Sequence, residues 1–184
     1  GIWLVTYDGD WRETFRPDIP SVARIYDYLL GGKDNYPADR AVGESMIAQL
    51  PNVRQAVQWN RAFLRRVVRY LIREAGIRQI IDIGAGLAGI ISRLLAPFPA
   101  GSHVAISHAT PDEVPAVNDV EGVFDEATTR AHVRSRTEIR KLVAGMDIVE
   151  PGLAWPPEWR PDPGEEVPAN AAESYYCVVV ARTT

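Results

Sequence analysis

The sequence predicts an α/β fold in which a helical N-terminal region precedes a sheet-forming core. Three observations carry that expectation. Residues 1–78 hold three apolar stripes at helical spacing, and from residue 79 short apolar runs alternate with helical ones. Between the two, Gln79-Ile-Ile-Asp-Ile-Gly-Ala-Gly-Leu87 reads as a buried strand entering a glycine turn. Alternation of this kind implies a mainly parallel sheet. The 184 residues suit one domain or one domain with an appendage, and the change of texture divides them as 1–78 and 79–184.

The N-terminal elements follow in order. Ser21 can cap a helix that carries Val22, Ile25, Tyr26, Leu29 and Leu30 on one stripe and stops at Gly31-Gly32. A polar loop, Lys33 to Tyr36, leads to Pro37 as a first-turn residue of a second helix with Val42, Met46, Ile47 and Leu50. Asn52, with Gln55 three residues on, opens a third and longer helix in a capping-box-like pattern, with Phe63, Leu64, Val67, Val68, Leu71 and Ile72 as its stripe and Gly76 just beyond. In the core, strands are expected over 79–83, 103–107, 146–150 and 175–181. Helices are expected around 89–96, around 117–131 and from Ser135, where Ser135-Arg-Thr-Glu138 forms a capping box. Residues 151–174 are a proline-rich loop, of the length that serves as a lid or stays poorly ordered.

Composition narrows the function classes. A net charge of −4 weighs against nucleic acid as main partner, since phosphate binding wants a basic face. The single cysteine, Cys177, rules out an internal disulfide and fits a reducing compartment, and with no signal peptide or membrane span legible the expectation is a cytoplasmic protein. His103, His108 and His132 lack metal-ligand spacing, so no metal is expected. Arg61, Arg65, Arg66, Arg69 and Arg73 read as a solvated face of the third helix, with an anion-contacting role as the sharper alternative.

The glycine turn is the strongest chemical signal. Gly84 and Gly86 let backbone approach a ligand, and Gly84-Ala-Gly-Leu-Ala-Gly89 satisfies a dinucleotide-type pattern, although a plain tight turn explains the same glycines. Such sites hold ribose hydroxyls with an acid about 20 residues later. Here no Asp or Glu occurs from Ile83 to Pro111. A nicotinamide oxidoreductase is therefore the weakest reading. Gly31-Gly32-Lys33 lacks the remainder of a phosphate loop, and on spacing alone is a helix stop followed by a polar turn.

The stretch Ser21-Val-Ala-Arg-Ile-Tyr-Asp-Tyr-Leu-Leu-Gly-Gly-Lys-Asp-Asn-Tyr-Pro-Ala-Asp-Arg40 resembles the opening signature of a family of actinobacterial S-adenosylmethionine-dependent methyltransferases of largely unassigned substrate. The resemblance continues through Asn60–Leu64, Gln79–Gly84, Gly101–Thr110, Arg134–Glu138, Val149–Gly152 and Trp159–Asp162, in the family's order. It implies a Rossmann-like methyltransferase sheet behind a helical region that covers the cofactor, S-adenosylmethionine. Asp82, Gly84 and Gly86 would form the cofactor floor, with Tyr26, Gly32, Lys33, Asn35 and Tyr36 closing over it. His108, at a strand end, is the candidate for a contact on the acceptor side, and no catalytic residue is assigned. The acceptor is expected to be a small molecule.

The chain departs from that family in one place. Leu87 runs almost directly into Gly89-Ile-Ile-Ser-Arg-Leu-Leu, which resembles the family's later helix, so three βα units, roughly 80–90 residues, are absent near 87–90. The central strands of the sheet fall within that loss. Either the polypeptide lacks the units or a segment is missing between Leu87 and Ile90; the cost of unpaired central-strand backbone favours the second. A chain that truly has 184 residues would be read instead as a non-catalytic binding or interaction module.

Overall fold

The computed structural model describes residues 16–80, 99–119, 122 and 132–184. Three of the five residues of the strand expected at 79–83 fall outside them, with residues 79 and 80 in irregular structure, and the helix around 89–96 and most of that around 117–131 also lie outside. Of the last, Pro115–Asp119 forms a short 3₁₀ helix.

The three N-terminal helices form where the stripes place them. Helix α1 spans Val22–Leu29 and buries Ile25 and Leu29. Helix α2 spans Pro37–Gln49, with proline in its first turn, and buries Met46. The two approach closely at Gly43, where a Cβ would lie 2.5 Å from the Tyr28 ring. Helix α3, Val53–Arg73, has 21 residues and so runs about 30 Å. Its end is closed as expected: Gly76 takes a φ of +69°, and the Ile77 N–H donates back to the Leu71 carbonyl at 2.8 Å. Two expected caps are not made. The side chains of Ser21 and Asn52 cap nothing. Both positions are instead tied to distant carboxylates, the Ser21 N–H to Asp39 and the Asn52 amide to Glu173.

The described part of the sheet departs from one expectation. Strands β1 (His103–Ala109), β2 (Asp147–Ile148) and β3 (Tyr176–Arg182) are ordered β1-β3-β2, and both neighbours run antiparallel to β3. The described sheet is thus antiparallel, where a mainly parallel one was expected. Strand β3 lies between two strands that run the same way, as mixed sheets of α/β folds allow. Strand β2 is shorter than the 146–150 run; pairing continues with the Val149 N–H to the Val180 carbonyl, and Pro151 then offers no donor.

Alternation along β3 sends side chains to two covered faces. Val178 and Val180 meet Phe63, Val67 and Leu71 of α3 together with Trp159. Cys177, Val179 and Ala181 meet Ile106 and the residues Ile139 and Val143 of the capped helix α4, Arg136–Leu142, and its end. All five residues from Cys177 to Ala181 are fully buried. That burial pushes the Cys177 thiol up to about 11, which leaves it protonated and unreactive at neutral pH. A third cluster, built on Ile25, Leu29, Leu50, Val53 and Val57, reaches Tyr175 and packs against Ala109 and Tyr176, so the helical region abuts the C-terminal end of β1.

The proline-rich segment 151–174 packs as a strap at its two ends, through Ala154–Pro157, Trp159, Ala171 and Ala172, while residues 161–167 between them are exposed. Trp159 is fully buried and stands edge-on to Phe63, with ring centroids 5.3 Å apart. Arg66 reaches out of α3 to hold the strap. Its Nε donates to the Trp159 carbonyl at 2.9 Å, its Nη2 to the Pro156 carbonyl at 2.5 Å, and its Nη1 to both Glu165 oxygens at 3.1 Å. The solvated arginine face therefore excludes Arg66, which is buried, while Arg61, Arg65, Arg69 and Arg73 are exposed.

Candidate functional site

Two carboxylates build the Lys33–Tyr36 loop from within. Asp27, on α1, accepts the Asp34 N–H at 2.9 Å and the Asn35 side-chain amide at 3.0 Å. Asn35 also donates to the Gly32 carbonyl at 3.0 Å, and Arg40 holds the Asn35 carbonyl and side-chain oxygens at 3.1 and 2.9 Å. Gly32 is required for space: a Cβ there would sit 2.0 Å from Asp27 Oδ1. Gly31 supplies the left-handed turn, at a φ of +82°.

Asp39, fully buried on α2, is the second organiser. It accepts the Ser21 N–H at 2.9 Å, the Tyr36 N–H at 2.8 Å and Arg24 Nε at 2.7 Å. Burial alone would raise its pKa, but the Arg24 guanidinium and the two N–H donors outweigh it and hold the carboxyl below its ordinary value. The Arg24 guanidinium also lies over the Tyr36 ring, 5.4 Å from its centroid. The loop is therefore shaped before any ligand arrives. Lys33 is exposed on it.

A polar chain joins this helical region to the sheet. Ser107 of β1 donates to Asn60 Oδ1 at 2.5 Å, Asn60 Nδ2 donates to the Tyr26 hydroxyl at 3.2 Å, and that hydroxyl donates to the Val57 carbonyl at 3.2 Å. Burial raises the pKa of Tyr26, against smaller opposing effects of Asn60 and Arg61, and raises that of Tyr176 further. Both phenols stay protonated at neutral pH, which makes them hydrogen-bonding groups and not bases.

His108 stands apart from that chain. Its neighbour Ser107 pairs with Val178, on the α3 side of the sheet, and His108 pairs with Cys177, on the α4 side. His108 Nδ1 lies 3.0 Å from the Ala109 carbonyl and accordingly carries the proton, while Nε2 accepts from Arg134. Burial first, with Arg134 and His132 adding to it, lowers the His108 pKa and keeps the ring neutral. Its one lone pair is already engaged. Around the same strand end two non-glycine residues take left-handed backbone, Glu113 at φ 67° and Tyr175 at φ 59°, and the Thr110 N–H is tied to the Tyr175 carbonyl at 2.9 Å. Such outliers cluster at functional sites.

The structure thus places Gly32, Lys33, Asn35 and Tyr36 on one preformed loop and puts Tyr26 beside Asn60 and Ser107. It sets His108 on the opposite sheet face. Asp82, Gly84 and Gly86, with Gly89, lie outside the described residues, as does the Leu87–Ile90 junction. Sequence reasoning missed Asp27, Asp39, Asn60 and Ser107 as organisers. Asn60 heads one of the blocks of resemblance and Ser107 precedes His108, so both were within reach. Among the described residues no group of His, Cys, Asp or Glu stands where it could hold a metal ion, and no helix is long and apolar enough to cross a membrane.

The described elements define an α/β protein in which a helical region packs against a three-stranded sheet. A DUF574 family protein from Streptomyces avermitilis superposes with a TM-score of 0.82 at 23% identity, covering 92% of this chain and 100% of its own. A candidate methyltransferase from Thermobifida fusca gives a TM-score of 0.76 at 19% identity, covering 91% and 96%. These likenesses establish the fold. The family model described as S-adenosyl methyltransferase matches residues 11–89 and 87–184, and the chain belongs to that family. The two matched segments meet at 87–89, where the resemblance breaks. No curated protein matches the chain.

Proposed function

We propose that this protein is an S-adenosylmethionine-dependent methyltransferase acting on a small-molecule acceptor. The observation that carries the reading is the family match over both parts of the chain, read together with a loop that Asp27 and Asp39 hold in shape without a ligand. The residues present fit the cofactor in kind. Lys33 carries an exposed ammonium on that loop, and the amino-acid end of S-adenosylmethionine carries a carboxylate. Gly32 and Asn35 present backbone and amide beside it.

When bound, the cofactor supplies an electrophilic methyl group on a sulfonium. The protein's task in such a displacement is positioning, since donor and acceptor must meet in line at near-attack distance. The loop from Gly32 to Tyr36 would hold the cofactor, and Tyr26, Asn60 and Ser107, neutral and hydrogen-bonded in series, would order the neighbouring wall.

Calorimetry with S-adenosylhomocysteine on protein of verified intact mass tests the reading. Binding with one site per chain supports it. Absence of heat in a polypeptide of 184 residues would favour a non-catalytic module, because the acid that normally holds the ribose is missing between Ile83 and Pro111.

A further inference from the structure

The groups around His108 form an arrangement that methyl transfer does not require. The Ala109 carbonyl, last in β1, accepts the Arg134 N–H at 3.1 Å and lies 3.0 Å from His108 Nδ1, while the Arg134 guanidinium donates to His108 Nε2. Arg134 is thus fastened to the strand end twice, by its backbone and by its side chain. The side-chain bond exists only while His108 is neutral, because an imidazolium has no lone pair to offer.

The charges facing His108 offer its cation little shelter. Arg134 touches it, and His132 lies in the same segment. Among the described residues Glu138 is the one carboxylate acting on it, and that group is already engaged by the N–H and hydroxyl of Ser135, at 2.9 and 2.8 Å. Asp112 accepts the Arg136 N–H at 2.7 Å, and Cys177, across the strand, is a neutral thiol. A proton on His108 therefore sets two cations in contact within a half-buried site.

We propose that the His108–Arg134 contact is a proton-operated latch, in which protonation of His108 expels the Arg134 guanidinium and frees residues 132–135 from the C-terminal end of β1. The inference is independent of the methyl-transfer reading. The sign follows from linkage: the closed form binds its proton less readily than the open form, so closure is complete above about pH 6.5 and weakens as pH falls below it. Between pH 7.5 and 5.5 the opening equilibrium should rise by about tenfold, the limit for one proton on an open-state histidine of ordinary pKa.

The test is amide exchange of Arg134 by NMR on the full chain at both pH values, corrected for intrinsic exchange, alongside the side-chain titration of His108. Wild type should show a rise of about tenfold, His108→Gln should show none, and in Arg134→Gln His108 should titrate at higher pH than in wild type. Exchange at Arg134 that is flat with pH in wild type overturns the latch, as does pH dependence that persists in His108→Gln. Should His108→Gln fail to fold, an unchanged His108 titration in Arg134→Gln overturns it equally.

Discussion

Replacing Arg66 by Met isolates what fastens the 151–174 strap to helix α3. The substitution keeps most of the side-chain volume and removes every donor. Two buried carbonyls, those of Trp159 and Pro156, then lose their partners, at about 1–3 kcal/mol each. The loss of Glu165 adds little, under about 1 kcal/mol, because that carboxylate is 36% exposed and returns to water. Burying a thioether in place of a guanidinium recovers part of the sum. The expected net loss is about 3 kcal/mol, or a fall in melting temperature of about 6–12 °C for a chain of this size. Urea unfolding followed by tryptophan fluorescence and by circular dichroism measures it, since two of the five tryptophans, Trp155 and Trp159, lie in the strap. Arg69→Ala is the control: its pair with Asp162 has side chains 43% and 50% exposed and should cost under about 1 kcal/mol. A loss below about 1 kcal/mol for Arg66→Met would refute the argument, for it would mean that water reaches the two carbonyls or that other contacts hold the strap.

Other perturbations probe the loop and the joint to the sheet. Gly32→Ala drives a methyl into Asp27, whose carboxylate must leave the Asp34 N–H and the Asn35 amide; a loss of about 1–2 kcal/mol should appear in denaturation curves, with faster amide exchange at Asp34. Asp39 has a depressed pKa, so its stabilisation is fully present above about pH 4 and disappears as pH falls through the folded value; Asp39→Asn should flatten that acid limb of the stability profile. Asn60→Ala cuts Ser107 from Tyr26 and should cost about 1–3 kcal/mol, measured by urea unfolding.

What the sequence made legible follows from how local each signal is. The boundaries of α1 to α3, the Ser135–Glu138 capping box and the apolar run of β3 all depend on residues within one or two turns, and each is found where expected. Strand direction is not local. The run from Cys177 to Ala181 declares a strand covered on both faces, which suits a parallel strand and an interior antiparallel one alike. The caps at Ser21 and Asn52 failed for the same reason, since the partners that replaced them are 18 and 121 residues away. Arg66 was different, because its signal was present: Arg61, Arg65, Arg69 and Arg73 recur every four residues, whereas Arg66 falls beside Val67 on the stripe that Phe63 begins. A cation on an apolar stripe needs buried acceptors, and the proline-rich loop supplies them.

The same contrast between local and distant partners decides what a failed cofactor titration would mean. The Gly32–Tyr36 loop takes its shape from Asp27 and Asp39, both in the helical region, and from Arg24 and Arg40 beside them. None of these contacts depends on the stretch from Ile83 to Pro111. A ligand that used the loop would therefore find it ordered in advance and would lose little free energy to organising it. If S-adenosylhomocysteine gives no heat, the deficit lies outside the loop, and the acid-free stretch from Ile83 to Pro111 is the first suspect, provided that the Asp34 and Tyr36 amides remain protected from exchange. If those amides exchange freely, the loop is at fault and the stretch from Ile83 to Pro111 is not. Measuring both on one sample assigns the failure to one half of the site.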